Sequence, residues 1–314
     1  MACEDAIMAT NDDAAQCKRF AVEKGYWVDP YISLLVPKGK SIHAPEINRG
    51  YYARVMGIRN LIQKFVEITQ KECQIVSLGA GFDTTYWCLK DKGLNPKRYV
   101  EVDFPAVTSR KCQQIKSKKA LLDKLVTEDE DIMVSAYEVH AGDYHLVSAD
   151  IRNIEEFEAK LAACGIDKSL ATLFIAECVL VYIETKFTNQ LLKWISQHFP
   201  TTMFINYEQV NMGDKFGQVM MDNLKARECF LHGVSACASL ETQKARFLSQ
   251  GWTEATAMEM INVYKLLPHA DLHRIERLEF LDERELLEQL YSHYCLVWAF
   301  QDGAGVGLQT IAVG

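Results

Sequence analysis

The spacing of apolar residues changes along the chain, and the change predicts the order of the elements. Between residues 46 and 70 the apolar positions recur at helical spacing: Tyr51, Val55, Ile58, Ile62 and Phe65. Short apolar runs typical of buried strands then alternate with helical stretches, at 74–79, 98–103, 145–150, 171–183 and 202–208. Strands that alternate with helices indicate an α/β fold, with a parallel sheet covered on both faces.

The ends of the chain follow other patterns. Residues 1–13 are acidic and have no apolar periodicity, so we expect a disordered tail there, and we expect a solvated loop at 127–131. Residues 14–314 are predicted to form a single domain with N-terminal helices. After about Asn211 the chain becomes mostly helical, and an apolar run at 295–300 predicts one more strand.

Composition excludes several classes of protein. Hydrophobic residues make up 49% and charged residues 24%, which is typical of a soluble globular protein. The net charge of −8 argues against binding to a nucleic-acid backbone. The ten cysteines are scattered without a C-x-x-C pair, as expected for free thiols in a reducing compartment. We find neither a signal peptide nor an apolar run near the roughly 18 residues of a membrane span, so we expect a cytoplasmic or nuclear protein.

A glycine pair directly after the first predicted strand indicates a ligand site. Gly79 and Gly81 lack a Cβ, so the backbone can turn sharply there and approach a ligand. Asp103, Asp150 and Glu177 end or interrupt later strands, and the carboxyl ends of parallel strands share one edge of the sheet. Asp103 follows the glycines by about 20 residues, where an acid of a nucleotide-binding fold contacts ribose hydroxyls.

The pattern also narrows the kind of ligand. Thr84 stands where a dinucleotide-binding G-x-G-x-x-G has its third glycine, and no phosphate-binding P-loop follows. No basic residue lies on the glycine turn, so an adenosine ligand without phosphates, such as S-adenosylmethionine, fits better. The alternative is that the glycines form only a turn and that Asp103 caps the helix at Pro105. Glycines and acids on successive strand ends together favour the nucleoside site.

Three further residue patterns each leave alternatives open. Arg54 lies beside the apolar stripe of its helix, where an arginine is often only a solvated flank. Glu177 lies in an apolar run, so it has either a function or a buried ion-pair partner. His269 and His273 have the spacing of a zinc-binding helix, but no glutamate follows the first histidine, and we expect no metal.

Five segments together resemble the leucine carboxyl methyltransferase family. They are "APEINRGYYARV" (44–55), "LGAGFDTTYW" (78–87), "EVDFP" (101–105), "IAECVLVY" (175–182) and "NYEQVNMGDKFG" (206–217). The resemblance implies a class I S-adenosylmethionine-dependent methyltransferase fold. This fold is Rossmann-like, with a mostly parallel seven-stranded sheet, an antiparallel last strand and helical additions.

The resemblance also implies an activity and a partner. Eukaryotic members of the family methylate the C-terminal leucine carboxylate of the protein phosphatase 2A catalytic subunit. The implied reaction uses S-adenosyl-L-methionine, forms a methyl ester and regulates assembly of the phosphatase holoenzyme. The implied enzyme is a monomer, and the helical region after about residue 211 would recognise the substrate.

Several cofactor-binding roles follow from the resemblance. Lys18 and Arg54 are similar to the residues that hold the cofactor's carboxylate, and Gly79 and Gly81 lie against its backbone. The other implied contacts are Asp103 with the ribose, Asp150 and Ile151 with the adenine, and Glu177 near the methionine part.

A chain-terminal carboxylate needs no general base, since its pKa lies near 3.3–3.7 and it is ionised at neutral pH. We therefore assign no catalytic acid or base. Tyr182 and Tyr207 are candidates for orienting the substrate, although both could be core aromatics. The alternative function is a carboxyl or O-methyltransferase of the same fold that acts on a small molecule or a tRNA base. The tRNA-modifying relative carries a long C-terminal repeat domain, which we do not expect here. A non-catalytic binding protein and an NAD enzyme are less favoured, the latter because of Thr84.

Overall fold

The computed structural model describes residues 2–40, 42–125 and 132–314 and is built around a nine-stranded sheet. The strands are β1 (Cys73–Leu78), β2 (Arg98–Asp103), β3 (Met133–Val134), β4 (Val139–Ala141), β5 (Tyr144–Ser148), β6 (Ala171–Glu177), β7 (Thr201–Gln209), β8 (Glu254–Glu259) and β9 (Tyr294–Asp302). Their order in the sheet is β3-β4-β5-β2-β1-β6-β7-β9-β8.

The sheet confirms the predicted fold class and extends it. Strands β5, β2, β1, β6 and β7 are parallel neighbours, and β9 is antiparallel to both β7 and β8. These seven strands are the expected mostly parallel sheet with an antiparallel last strand. The short strands β3 and β4 add an antiparallel extension at the β5 edge, because Gly142 turns the chain at a φ of +53° and pairs β4 with β5.

Thirteen α-helices surround the sheet in the part of the chain that the structure describes. They are α1 (Ala2–Glu23), α2 (Ile32–Leu35), α3 (Pro45–Ile68), α4 (Thr85–Asp91), α5 (Pro105–Ser117), α6 (Lys119–Leu122), α7 (Ile154–Ala163), α8 (Thr185–His198), α9 (Lys215–Lys225), α10 (Leu240–Leu248), α11 (Met260–Leu266), α12 (His269–Glu276) and α13 (Arg284–Ser292). Short 3₁₀ turns lie at Leu180–Tyr182, Val234–Cys237 and Leu308–Thr310.

The two faces of the sheet are buried against different helices. Ile75 of β1 belongs to the core layer that includes Phe65 of α3, whereas Val76 belongs to the layer that includes Leu192 of α8. All six residues of β1 are buried as a result. Burial on both faces explains why the central strands are continuous apolar runs rather than alternating ones.

The N-terminal segment differs from the sequence prediction. The expected disorder of residues 1–13 is wrong for residues 2–13, which form the first half of α1. Their acidic side chains have partners in the fold: Asp12 forms an ion pair with Arg110, and Asp13 forms one with Arg227. Exposed ion pairs contribute little to stability, but these two show that α1 contacts elements distant in sequence, which local periodicity does not reveal. The loop predicted at 127–131 lies outside the described residues.

The region after residue 211 is mostly helical, as predicted, but it also contains β8. Residues of β8 alternate between exposed and partly buried at the start of the strand, because β8 lies at the sheet edge. Its sequence therefore lacks the continuous apolar run of the central strands. The single-domain boundary at residue 14 and the substrate-recognition role of the helices stay predictions.

Candidate functional site

A cavity of about 570 Å³ opens at the carboxyl ends of β1, β2, β5 and β6. Its volume is in the range of small-molecule sites, and parallel α/β sheets bind ligands at this edge. Eight of the ten residues predicted for the site line it: Lys18, Arg54, Gly79, Asp103, Asp150, Ile151, Glu177 and Tyr182. The structure thus brings residues from six separate segments together in one place.

The glycine turn needs glycine for two reasons. Gly79 and Gly81 have φ angles of +60° and +54°, in the left-handed region that residues with a Cβ rarely adopt. A Cβ on Gly79 would lie 2.6 Å from Val179 Cγ2, and one on Gly81 would lie 2.0 Å from Asn11 Oδ1. Gly81 itself does not line the cavity, because α1 covers it through Asn11. Its backbone N–H instead holds Asp103 in place.

Asp103 is fixed by backbone groups at the end of β2. Its Oδ2 accepts a hydrogen bond from Gly81 N (2.7 Å), and its Oδ1 accepts one from Phe104 N (2.7 Å). Burial raises the pKa of Asp103, and the two backbone donors partly offset this. The residue before α5 is Phe104, and no described side chain caps that helix, so the cap interpretation of Asp103 is wrong.

Arg54, Lys18 and Glu177 form a buried charge cluster. Glu177 Oε2 lies 2.7 Å from Arg54 Nε and 3.2 Å from Lys18 Nζ, and Lys18 also lies 3.6 Å from Asp83. Arg54 is only 8% exposed, so it is not a solvated flank of α3. Burial alone would raise the pKa of Glu177, but the charges of Lys18 and Arg54 hold it below its usual range. The sequence left two alternatives for Glu177, a function or an ion pair in the interior. The structure shows the ion pair, and Glu177 also lines the cavity.

Two tyrosines position the guanidinium of Arg54. Its carbon lies 4.6 Å from the ring centre of Tyr207 and 5.5 Å from that of Tyr51. Tyr207 also stacks on Tyr294, with ring centres 5.3 Å apart. Tyr207 does not line the cavity, whereas Tyr51 and Tyr294 do. The structure therefore places Tyr207 behind Arg54 as a buried aromatic, and not where it could orient a substrate.

The opposite wall contains the remaining predicted residues. Asp150 accepts hydrogen bonds from Arg152 Nε at 2.9 Å through both carboxylate oxygens, and Ile151 beside it is buried. Tyr182 ends the 3₁₀ turn after β6. Burial raises the pKa of its hydroxyl, so this hydroxyl remains a proton donor at neutral pH.

Sequence reasoning missed the residues that close the cavity. Helix α1 contributes Ile7, Met8 and Asn11, and α9 contributes an apolar wall of Phe216, Val219, Met220 and Leu224. The apolar residues of α9 recur at spacings of three and four, which is typical of one apolar helix face, so this wall could have been predicted from the sequence. Because residues 1–13 are acidic, they were predicted to be disordered, and the first half of α1 was missed. Cys178 was also missed: it has a φ of +56°, a strained conformation that is concentrated at functional sites.

The site therefore has two chemically different parts. One side has a glycine turn, a strand-end carboxylate and a pair of cations, which suits a nucleoside joined to an amino acid. The other side, on α9, is apolar and suits an aliphatic side chain. Among the residues that the structure describes, no helix combines the length and apolar character needed to cross a membrane.

Comparisons with known proteins agree with this description. The sequence model of the family described as leucine carboxyl methyltransferase matches residues 6–196. Leucine carboxyl methyltransferase 1 of Bos taurus is 50% identical over 311 residues, covering 98% of this chain and 93% of the bovine protein. Leucine carboxyl methyltransferase 1 of Caenorhabditis elegans is 41% identical, covering 94% of this chain and 91% of the nematode protein.

Two more distant similarities differ in extent. The tRNA wybutosine-synthesizing protein 4 of Homo sapiens is 36% identical over 94% of this chain, but the match covers only 44% of the human protein. A solved structure from Thermobifida fusca YX, described as a methyltransferase, superimposes with a TM-score of 0.50 at 15% identity. It covers 86% of this chain and 92% of that one. At that identity the likeness concerns the fold alone.

Proposed function

Because the chain belongs to the leucine carboxyl methyltransferase family and is therefore a carboxyl methyltransferase, we propose that it methylates the α-carboxylate of a C-terminal leucine. We propose S-adenosyl-L-methionine as the methyl donor and the protein phosphatase 2A catalytic subunit as the substrate. The reaction would take place in the cytoplasm or nucleus and would regulate assembly of the phosphatase holoenzyme. The observation that carries the proposal is the single cavity in which a charged, glycine-lined side faces the apolar wall of α9.

The residues that line the cavity fit this donor. Gly79 lines the cavity with backbone atoms alone. Asp103 accepts hydrogen bonds from only two backbone N–H groups and has roughly four acceptor positions. Two ribose hydroxyls could donate hydrogen bonds to the remaining acceptor positions of Asp103. Arg54 donates to the carboxylate of Glu177 through Nε at 2.7 Å and to the backbone carbonyl of Glu177 through Nη2 at 3.4 Å. Its Nη1 would donate to the carboxylate of the methionine part, together with Lys18.

The remaining proposed contacts are with the adenine and the methionine part of the cofactor. Asp150 and Ile151 would flank the adenine, the first as an acceptor for its amino group and the second as an apolar surface. Glu177 would lie beside the methionine part. When bound, the cofactor supplies a methyl group that its sulfonium already activates, so this chain's residues need only bind and orient the two reactants.

The acceptor also needs little activation. A C-terminal carboxylate is ionised at neutral pH, because its pKa is near 3.3–3.7, and it needs no general base. Orientation of two reactants at one site can contribute about 7–11 kcal/mol to catalysis. We propose that Tyr182, which lines the cavity and keeps its proton, donates a hydrogen bond to the substrate.

The apolar wall supports leucine as the terminal residue. Val219, Met220 and Leu224 lie on one face of α9, and Val179 and Ile183 also line the cavity. Burying a leucine side chain contributes about 1.5–3 kcal/mol, which favours leucine over a small or charged terminal residue.

A methyl-transfer assay with labelled S-adenosyl-L-methionine tests the proposal. The substrates are purified phosphatase 2A, the same protein without its terminal leucine, and bulk tRNA. We expect base-labile label on the intact phosphatase only. Label on tRNA would favour the alternative function of the tRNA-modifying relative. No label on any substrate, with the cofactor still bound in calorimetry, would retain the fold and cofactor and reject the substrate.

A further inference from the structure

A second cluster of chemically reactive side chains lies at the other end of the sheet. His140 on β4 and His145 on β5 are register partners, and Cys164 follows the last residue of α7. One ring nitrogen of each histidine and the sulfur of Cys164 all lie within 4.8 Å of one another. Asp150, which lines the cavity, lies five residues after His145 and beyond the end of β5 at Ser148, about 16 Å away at the rise of a strand. The cluster is therefore separate from the cavity.

The distances are those of neighbouring side chains that one metal ion could join. The Nδ1 atoms of His140 and His145 form a hydrogen bond of 3.0 Å with each other, which a bound ion would replace. Two nitrogens on one tetrahedral zinc ion lie about 3.3 Å apart, and a nitrogen and a sulfur lie about 3.6 Å apart. The three ligand atoms lie within 4.8 Å of one another, so an ion would draw the side chains closer together.

His145 also has an unpaired polar atom. The residue is 9% exposed, and its Nε2 is buried with no hydrogen-bond partner among the described residues. Buried polar atoms in native proteins are normally paired, and Nε2 of His145 would gain its partner by binding the ion.

His140 has the outer partner that ligating histidines usually have. Its Nε2 lies 3.5 Å from Glu138 Oε2, while Glu138 Oε1 accepts a hydrogen bond from Lys160 Nζ at 2.6 Å. A carboxylate that accepts from the outer nitrogen fixes the ring and makes the inner nitrogen a better ligand. The other charged groups near the cluster are Arg98 and Asp143, and Asp143 forms an ion pair with Lys90.

We propose that His140, His145 and Cys164 form a binding site for a zinc-type transition-metal ion, with the fourth position open to water. Imidazole and thiolate are the donors that zinc and cobalt prefer. When the ion binds, a metal–sulfur bond forms and the thiol of Cys164 releases its proton to solvent. The ion would join the β4–β5 hairpin to the end of α7. No sequence signal predicted this site, because 18 residues lie between His145 and Cys164 and the spacing matches no common zinc motif.

Cobalt(II) titration of the full chain, purified without a histidine tag and stripped with a chelator, tests the site. We expect about one ion per chain, with the d–d bands of a tetrahedral complex and a thiolate-to-cobalt charge-transfer band. Cys164→Ser should abolish the charge-transfer band, and His145→Asn should weaken binding at least tenfold. The matched controls are Cys112→Ser, a buried thiol outside the cluster, and His198→Asn, and both should bind like the wild type.

Calorimetry with zinc provides a second readout. In buffers of different ionisation enthalpy, the wild type should release about one proton per ion, and Cys164→Ser should release none. Zinc should also raise the melting temperature of the wild type but not of Cys164→Ser. Absence of the charge-transfer band in the wild type, or an unchanged band in Cys164→Ser, would overturn the proposal. Should His145→Asn fail to fold, the wild type and Cys164→Ser are sufficient to decide.

Discussion

Nε of Arg54 lies 2.7 Å from Oε2 of Glu177, and the pair joins α3 to the end of β6 below the cavity. Sequence reasoning assigned the two residues to the cofactor separately. The structure shows that each is the other's counter-charge, with Tyr207 and Tyr51 against the guanidinium. The cation for a cofactor carboxylate is therefore already oriented by the protein, and a change at either residue affects both folding and binding.

Arg54→Met should reduce both stability and cofactor affinity. Removal of one partner from a buried ion pair costs about 3 kcal/mol of unfolding free energy, since the other charge stays buried. Denaturant unfolding and calorimetry with S-adenosyl-L-methionine measure the two effects. Arg59→Met is the control, because Arg59 lies on the same helix and pairs with Asp29 but does not line the cavity. Equal affinities for the two variants would show that Arg54 is only structural.

Glu177→Gln should change how stability depends on pH. The folded-state pKa of Glu177 lies below its ordinary value of 4.5. Its contribution to stability is therefore fully present above about pH 4.5 and is lost as the pH falls through the folded-state pKa. We expect the stability difference between wild type and Glu177→Gln to be constant from about pH 5 to 7 and to shrink in more acidic buffer. Urea unfolding at several pH values checks this, and a gap that widens in acid would contradict it.

Asp103→Ala should weaken cofactor binding by about 1.5–3 kcal/mol, the range for hydrogen bonds to a charged group. The change also removes the acceptor of the Gly81 and Phe104 N–H groups, so part of the loss would come from a less ordered glycine turn. Asp123→Ala, at an exposed position after α6, is the calorimetric control. Unchanged affinity of Asp103→Ala would remove Asp103 from the site.

Gly81→Ala should be worse than Gly93→Ala, although both glycines have similar left-handed φ angles of +54° and +65°. A left-handed conformation costs a non-glycine residue about 1–2 kcal/mol at either position. Only at Gly81 would the new Cβ also collide with Asn11 of α1, whereas no described atom lies within 4 Å of one at Gly93. We expect faster cofactor dissociation in Gly81→Ala alone, measured by stopped flow. Asn11→Ala in the same chain should restore part of the loss, and identical dissociation rates for the two single variants would contradict the role of α1.

Val219→Asp should impair methyl transfer to a protein ending in leucine without weakening cofactor binding. Val219 is 57% exposed and lines the apolar side of the cavity. A carboxylate there would repel the substrate's own carboxylate and would remove apolar contact, so we expect kcat/KM to fall at least tenfold. Phe280→Asp is the control, since Phe280 is 83% exposed and does not line the cavity. A similar loss in both variants would place the leucine pocket elsewhere.

The parts of the fold that were predicted correctly depend on local signals. Burial on both faces favours apolar residues in β1, β2, β6 and β7, although some polar residues, such as Glu101 and Glu208, are buried there as well. Pro105 marks the start of α5, as expected. The strands that were missed are β3, β4 and β8, which lie at the edges of the sheet. Strands at the edges are less buried, so their sequences need fewer apolar residues. The first half of helix α1 was missed because its partners in the fold, which include Arg110 and Arg227, are distant in sequence.

Most residues of the site were predicted from the sequence, but the contacts between them were not. Strand-end positions indicated Asp103, Asp150 and Glu177, because topology alone brings parallel strand ends together. The resemblance to a known family supplied Lys18 and Arg54, which no local pattern identifies. The pairing of Arg54 with Glu177 and the position of Tyr207 behind it require tertiary packing, so no sequence window could contain them.

The position of β9 has a consequence for how the protein is made. β9 lies between β7 and β8, so β7 has no neighbour on that side until residues 294–302 have left the ribosome. During synthesis the nascent chain therefore exposes an apolar strand edge for the time needed to translate almost a hundred residues, a situation that invites aggregation. Newly made chains should depend on chaperones until translation ends, and premature termination before β9 should yield an insoluble product rather than a weak enzyme.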